Sequence, residues 1–174
     1  MKASVYCITK TVAQAESIVA DLKNSGFLNN DISALMPDKR GTKDFAHEHN
    51  TKAPEGATAG GVAGLGVGAA VGWLAGIGAL AIPGVGPLIA AGPIMAALSG
   101  AAIGTAAGGL IGALVGMGIP EFEAKRYEAK VREGNILISV HTEDGKRRDI
   151  AKEIFKRHGA DDISTGKEAS PKAA

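Results

Sequence analysis

The chain has 174 residues, a formal net charge of +1 and a hydrophobic share of 45%, which suits one ordinary domain with an additional element. With this near-neutral net charge the chain lacks the excess of basic residues that is typical of nucleic-acid-binding domains, and we expect no nucleic-acid partner. A single cysteine, Cys7, excludes an intramolecular disulfide, and the first residues lack the apolar core of a signal peptide, so we expect folding in a reducing cytosol.

Residues 1–36 predict the first half of a domain, in the order strand, helix, strand. Residues 3–9 are apolar and alternating, as in a strand, whereas residues 11–25 carry apolar side chains at helical spacing. Gly26 is placed to end this helix in the left-handed conformation. Turn-forming residues then precede a short second strand over 31–36.

Residues 37–55 predict a polar linker. It contains His47 and His49 on either side of a glutamate, which are ligand types that a metal site uses. Their spacing of two and the lack of a nearby third ligand favour a solvated loop, and we predict no metal site.

Residues 56–120 contain no charged residue and no histidine, and their glycines recur at spacings of four. Such a spacing places glycine along one ridge of a helix, where a second backbone can approach closely. Each glycine costs an isolated helix about 1 kcal/mol relative to alanine, so close packing in a dry environment must offset it. The pattern predicts a glycine-zipper α-helical hairpin with helices over 57–81 and 94–118, a turn over 82–93, and these helix-packing residues: Gly56, Gly60, Gly64, Gly68, Gly72, Gly76, Gly100, Gly104, Gly108, Gly112 and Gly116.

Each predicted helix would be about 37 Å long, enough to cross a hydrocarbon core of about 30 Å. The pair would present on the order of 2,000 Å² of apolar side wall, which a lipid bilayer or other copies of the chain must cover. Lysines and arginines flank the hairpin on both sides, which predicts both termini in the cytoplasm and the hairpin in the cytoplasmic membrane. The turn is itself apolar, which weakens the prediction of a full crossing, so a re-entrant hairpin or a soluble cytoplasmic assembly, in which other copies cover the hairpin, fits nearly as well.

Residues 121–133 predict a solvated, charged connecting helix beside the membrane, with acid–base pairs four residues apart. A contact of this helix with anionic lipid is the alternative. Residues 134–165 repeat the order strand, helix, strand of the first half, with the predicted helix over 145–158 carrying Ile150 on its apolar face. Residues 166–174 predict a disordered tail.

The two halves together predict an α+β fold: a split ferredoxin-like domain, β-α-β and β-α-β, interrupted by the hairpin. We find no catalytic constellation, because Cys7 has no neighbouring base. His141 and His158 each stand alone at the end of an element, where we expect a structural or exposed side chain. A dinucleotide loop would need an acidic residue beyond its glycines, which residues 56–120 do not contain. We therefore predict no enzyme activity and no cofactor.

Three segments carry a family resemblance: TKAPEGA at 51–57, AIPGVGP at 81–87, and GIPE at 118–121 leading into a helix with Tyr127. Together they resemble the bacterial general stress proteins of the heat-induced type, which carry a glycine-rich hydrophobic insert. The resemblance implies a role in stress survival and brings no catalytic residues.

The predicted function is a non-enzymatic stress-response protein that associates with other copies through glycine-zipper hairpins at or in the cytoplasmic membrane. One alternative is a soluble homo-oligomeric scaffold or particle with the hairpins as its core. A second alternative, by analogy of fold, is a small-ligand sensor that uses the ferredoxin-like domain.

Overall fold

The computed structural model describes residues 3–37, 78–82, 86–94 and 109–167, and they form an α+β domain built on one antiparallel sheet of six strands. The prediction of an α+β fold is confirmed. In chain order the elements are β1 (Ala3–Thr9), α1 (Val12–Asn24), β2 (Ile32–Pro37), β3 (Gly78–Ile82), β4 (Gly86–Ala91), α2 (Gly109–Gly116), α3 (Glu121–Arg132), β5 (Ile136–Thr142), α4 (Gly145–Arg157) and β6 (Asp161–Lys167).

The strand order across the sheet is β3-β4-β2-β5-β1-β6, and every neighbouring pair is antiparallel. Strand β1 therefore lies between β5 and β6, which come from the other end of the chain. The two halves of the sequence share one sheet, because two strands and a helix alone bury too little apolar surface to be stable.

Helices α1 and α4 cover the first face of the sheet. Ile18 and Leu22 of α1, and Ile154 and Phe155 of α4, pack there with Cys7 and other strand residues that point to this face. Local signals set the bounds of both helices. Thr11 caps the amide of Gln14, Asp144 caps that of Lys146, and Gly26 and Gly159 follow the helices with φ of +87° and +65°.

Helices α2 and α3 cover the second face, so the sheet is buried on both sides. Leu114 of α2 and Tyr127 of α3 belong to one cluster with Tyr6, Leu35 and Leu137 from the strands. The prediction of a solvated connecting helix is wrong on this point, because the side of α3 that carries Tyr127 lies against the sheet. Its predicted acid–base pairs are present, with Lys125 Nζ 2.7 Å from Glu121 and Arg132 Nε 3.7 Å from Glu128.

Strands β3 and β4 replace parts of the predicted hairpin. Residues 78–81, predicted as the end of a helix, lie in β3, and most of the predicted turn lies in β4 or at the end of β3. Strand β4 pairs with β2, which gives the backbone of β2 its second partner. Short runs of small apolar residues do not distinguish helix from strand, and glycine and proline weaken a helix. The rest of the two predicted helices, 57–77 and 95–108, lies outside the described residues.

Two smaller predictions are also wrong. The predicted tail begins inside β6, because Gly166 and Lys167 pair with β1. Ile150, predicted on the buried side of its helix, is 43% exposed. Of the predicted linker, only Pro37 is described, as the end of β2, and both linker histidines lie outside the described residues.

Candidate functional site

Two of the eleven predicted helix-packing glycines, Gly112 and Gly116, lie within the described residues, both in α2. Leu110, Ala113 and Leu114 form the side of α2 that faces the sheet, and all three are buried. The two glycines lie on the other side of the helix. The other nine lie outside the described residues: Gly56, Gly60, Gly64, Gly68, Gly72, Gly76, Gly100, Gly104 and Gly108.

The outer side of α2 is uncharged and open. A Cβ atom added at Gly112 or at Gly116 would meet no atom of the described residues within 4 Å, so neither glycine lies in a close helix–helix contact among them. Val115, between them, is 42% exposed. Their helix-packing role stays a prediction, and what the structure adds is an apolar surface that the described residues leave exposed.

A tight connection holds α2 against the sheet and α3. The amide of Ile119 donates to the carbonyl of Leu114, Gly118 has a φ of +87°, and the hydroxyl of Tyr6 donates to the carbonyl of Met117 at 3.3 Å. A Cβ added at Gly166 of β6 would lie 2.9 Å from the carbonyl oxygen of Gly118, so only glycine fits there without a shift. The end of the uncharged segment is thereby fixed to the domain.

Tyr127 fixes α3 to strand β6. Its hydroxyl donates to the backbone carbonyl of Asp162 at 2.6 Å, and since that hydroxyl has one hydrogen, the hydroxyl of Ser164, also at 2.6 Å, donates to it. Burial raises the pKa of Tyr127 well above its usual value, the hydrogen bond from Ser164 lowers it, and the nearby carboxylate of Glu123 raises it further. Arg126 pairs with the carboxylate of Asp162 at 3.2 Å.

In the sequence, Tyr127 was noted only for the family resemblance, and its burial was not predicted. The signal for its burial was present, because Ala124, Tyr127 and Val131 recur at helical spacing on an otherwise charged helix, and all three are buried.

A small polar cluster lies on the second face of the sheet. His141 Nδ1 is 2.8 Å from Ser4 Oγ, and His141 Nε2 is 3.4 Å from Ser33 Oγ and 3.3 Å from Ser139 Oγ. The backbone amide of Ile94 donates to Ser33 Oγ at 3.1 Å. The prediction that His141 stands alone is therefore wrong: strand pairing places Ser4 opposite it and the other two serines nearby.

The pair of Ser4 and His141 has the groups of a nucleophile and its base, but Ser4 is completely buried. The second nitrogen of His141 faces the hydroxyls of Ser33 and Ser139. The cluster satisfies polar side chains within an apolar face.

The other two candidate groups lie on the first face or at its edge. His158, also predicted to stand alone, has its Nε2 2.8 Å from a carboxylate oxygen of Asp21, so that prediction is wrong. Cys7 is buried as predicted, and burial raises the pKa of its thiol well above the usual value, which keeps it protonated and unreactive.

Within the described parts of the chain, no group of three or more histidine, cysteine, aspartate or glutamate side chains could hold a metal ion. Among the helices that can be described, none combines the length and the apolar character that a membrane crossing requires.

No protein-family model matches this chain, and comparisons with curated proteins and with solved structures likewise found no match. The resemblance to bacterial general stress proteins accordingly stays a prediction from the three segments that carry it.

Proposed function

We propose that this protein is a non-enzymatic self-associating protein, in which the uncharged segment 56–120 joins copies of the chain and the α+β domain is its folded base. The observation that carries this proposal is the outer side of α2, where Gly112, Val115 and Gly116 face away from the domain with no charge among them. Contiguous apolar patches on a protein surface often mark sites that a partner covers.

The topology of the domain supports the more specific fold that we propose within the α+β class, a split ferredoxin-like domain. The four central strands have the order β2-β5-β1-β6, and α1 and α4, which each connect two of them, lie on the same face. This is the arrangement of two β-α-β units that interleave their strands. Strands β3 and β4 extend the sheet beyond β2 as an addition from the uncharged segment.

The same topology favours association with copies over a complete membrane crossing. The chain between β2 and β3 starts and ends in one sheet, so it can cross a bilayer only an even number of times. Two crossings need about 40 apolar residues, at about 20 each, whereas the uncharged part before β3, residues 56–77, has 22. A position against other copies, or at the surface of the cytoplasmic membrane, satisfies this constraint.

The small-ligand alternative has less support, because α2 and α3 cover the sheet face on which the serines and His141 lie. We retain the role in stress survival as part of the proposal, on the family resemblance alone. Its test is heat survival of cells that lack the protein, compared with cells in which the protein is restored.

The proposal predicts that Gly112→Leu weakens association without weakening the fold. At its Cβ the added side chain meets no atom within 4 Å in the described part of the domain, and leucine favours a helix over glycine by up to about 1 kcal/mol. We expect an unfolding midpoint in urea at or above that of the wild type. Association should weaken about tenfold or more, measured by light scattering of the detergent-free protein on a sizing column.

Gly112→Ala is the matched control, because it gives the same gain in helix propensity while adding only a methyl group. This variant should associate to the same molecular mass as the wild type on the sizing column. A wild-type chain that elutes without detergent as a 17.6 kDa monomer at all concentrations would contradict the proposal. If the wild type instead floats with vesicles and is missing from the detergent-free supernatant, the result would favour a membrane-bound protein.

A further inference from the structure

Four large apolar side chains are exposed in the described chain, and two of them lie on the outer surface of the α2–α3 layer. Val115 of α2 is 42% exposed and Phe122 of α3 is 72% exposed. Each lies on the side of its helix opposite to the buried residues, such as Leu114 and Tyr127, that contact the sheet. Both side chains therefore point away from the domain on the same layer.

Phe122 is held in position although it is exposed. The guanidinium carbon of Arg126 lies 5.1 Å from the centre of its ring, and the same guanidinium pairs with Asp162 at 3.2 Å. An aromatic ring and an arginine that are ordered before binding lose little conformational freedom on association. Aromatic and arginine side chains are also the commonest anchors of protein interfaces.

The charges beside Phe122 indicate which partner fits. Glu121 and Lys125 form an ion pair within one turn of α3, at 2.7 Å, and both are exposed. Arg126 is already paired with a carboxylate. An anionic bilayer would be repelled by Glu121 and would have to compete for both cations. A second copy turned by a two-fold axis would instead present a glutamate to Lys125 and a lysine to Glu121.

We propose that two copies of this chain associate through the outer surface of α2 and α3, defined by Gly112, Val115 and Phe122 and flanked by Glu121 and Lys125. Phe122 is the anchor, and the glutamate–lysine pairs exchange across the two-fold axis. This inference rests on the proposed self-association, and it adds the site, the symmetry and the charge pairing.

The first test compares two exposed apolar residues from different parts of the domain. Phe122→Ser should raise the dissociation constant of the full chain at least tenfold by sedimentation equilibrium. Leu28→Ser is the control, because Leu28 is 67% exposed and lies outside the α2–α3 layer, and it should leave the constant unchanged. Equal effects of the two substitutions, or none at Phe122, would overturn the inference.

The second test reverses the charges of Glu121 and Lys125 one at a time. A mixture of the two variants is the control for folding. Glu121→Lys and Lys125→Glu should each associate about tenfold more weakly alone, because like charges then face each other across the axis. An equimolar mixture of the two variants should restore mixed dimers close to the wild-type affinity. Restoration supports the two-fold surface, and a mixture as weak as its components overturns it.

These outcomes separate the inference from the function it rests on. A monomeric wild type rejects both. A wild type that associates and responds to Gly112→Leu, but not to Phe122→Ser or to charge reversal, keeps self-association and rejects this surface. Binding of the wild type to anionic vesicles that Phe122→Ser abolishes, with no change in dimer affinity, assigns the surface to lipid and also rejects the inference.

Discussion

Replacing Gly92 with alanine should lower the free energy of unfolding by about 3 kcal/mol or more, because two separate costs add. Gly92 has a φ of +81°, a conformation that disfavours any residue with a Cβ. Its Cβ would also lie 2.1 Å from the carbonyl oxygen of Ile32 and 2.9 Å from the Cα of Ser33. These are backbone atoms of the sheet, so no flexible side chain can move aside.

Gly26→Ala is the matched control for this prediction. Gly26 has a φ of +87°, but a Cβ there would meet no atom within 4 Å among the residues that the structure describes, so only the backbone cost of about 1–2 kcal/mol applies. Urea unfolding followed by circular dichroism measures both variants. Equal losses at the two positions would contradict the close approach of Gly92 to β2.

The result at Gly92 also tests the position of β4. If the turn after β4 passes directly over β2, the substitution should increase amide exchange along β4, whose residues pair with 34–37 of β2. Unchanged protection in β4 would remove the support that this pairing gives to our argument against a complete membrane crossing.

Tyr127→Phe should cost about 2 kcal/mol at pH 7, the second-largest effect that we expect, since it removes two short hydrogen bonds from a buried site. The ring remains, so its packing 6.1 Å from the ring of Tyr6 is retained. The carbonyl of Asp162 then loses its donor from α3. Tyr6→Phe is the control, because the bond from its hydroxyl to the carbonyl of Met117 is longer, at 3.3 Å, and its loss should cost less.

The same residue should make stability depend on alkaline pH. Burial raises the pKa of Tyr127 in the folded state above the value of about 10 in the unfolded chain, so below pH 10 both states keep the proton and the stabilisation is complete. Above pH 10 the unfolded chain releases the proton first, and stability falls by up to about 1.4 kcal/mol per pH unit.

Comparison of wild type and Tyr127→Phe by urea unfolding between pH 9 and 11 isolates this contribution. Other groups contribute equally to the pH dependence of stability in both proteins. One of them is the Cys7 thiol, whose pKa is also raised by burial. The difference in stability between the two proteins should shrink as the pH rises through this range. A constant difference would show that Tyr127 is not protected from ionisation by the fold.

The sequence by itself predicted the elements whose signals are local. Strand β1 was predicted with its exact bounds, and α1 and α4 to within a residue or two at each end, because apolar spacing, capping side chains and glycine stops lie inside each segment. The repeated order of strand and helix predicted the α+β class for the same reason.

Only the tertiary structure decided where ambiguous segments lie and which side chains meet. The apolar residues of β3 and β4 fit a helix or a strand equally well, and the unpaired edge of β2 decided between them. Likewise, His141 and Ser4 are 137 residues apart, and strand register alone brings them within hydrogen-bonding distance. Periodicity and capping depend on neighbours in the chain, whereas strand pairing and polar contacts depend on neighbours in space, which a single sequence does not specify.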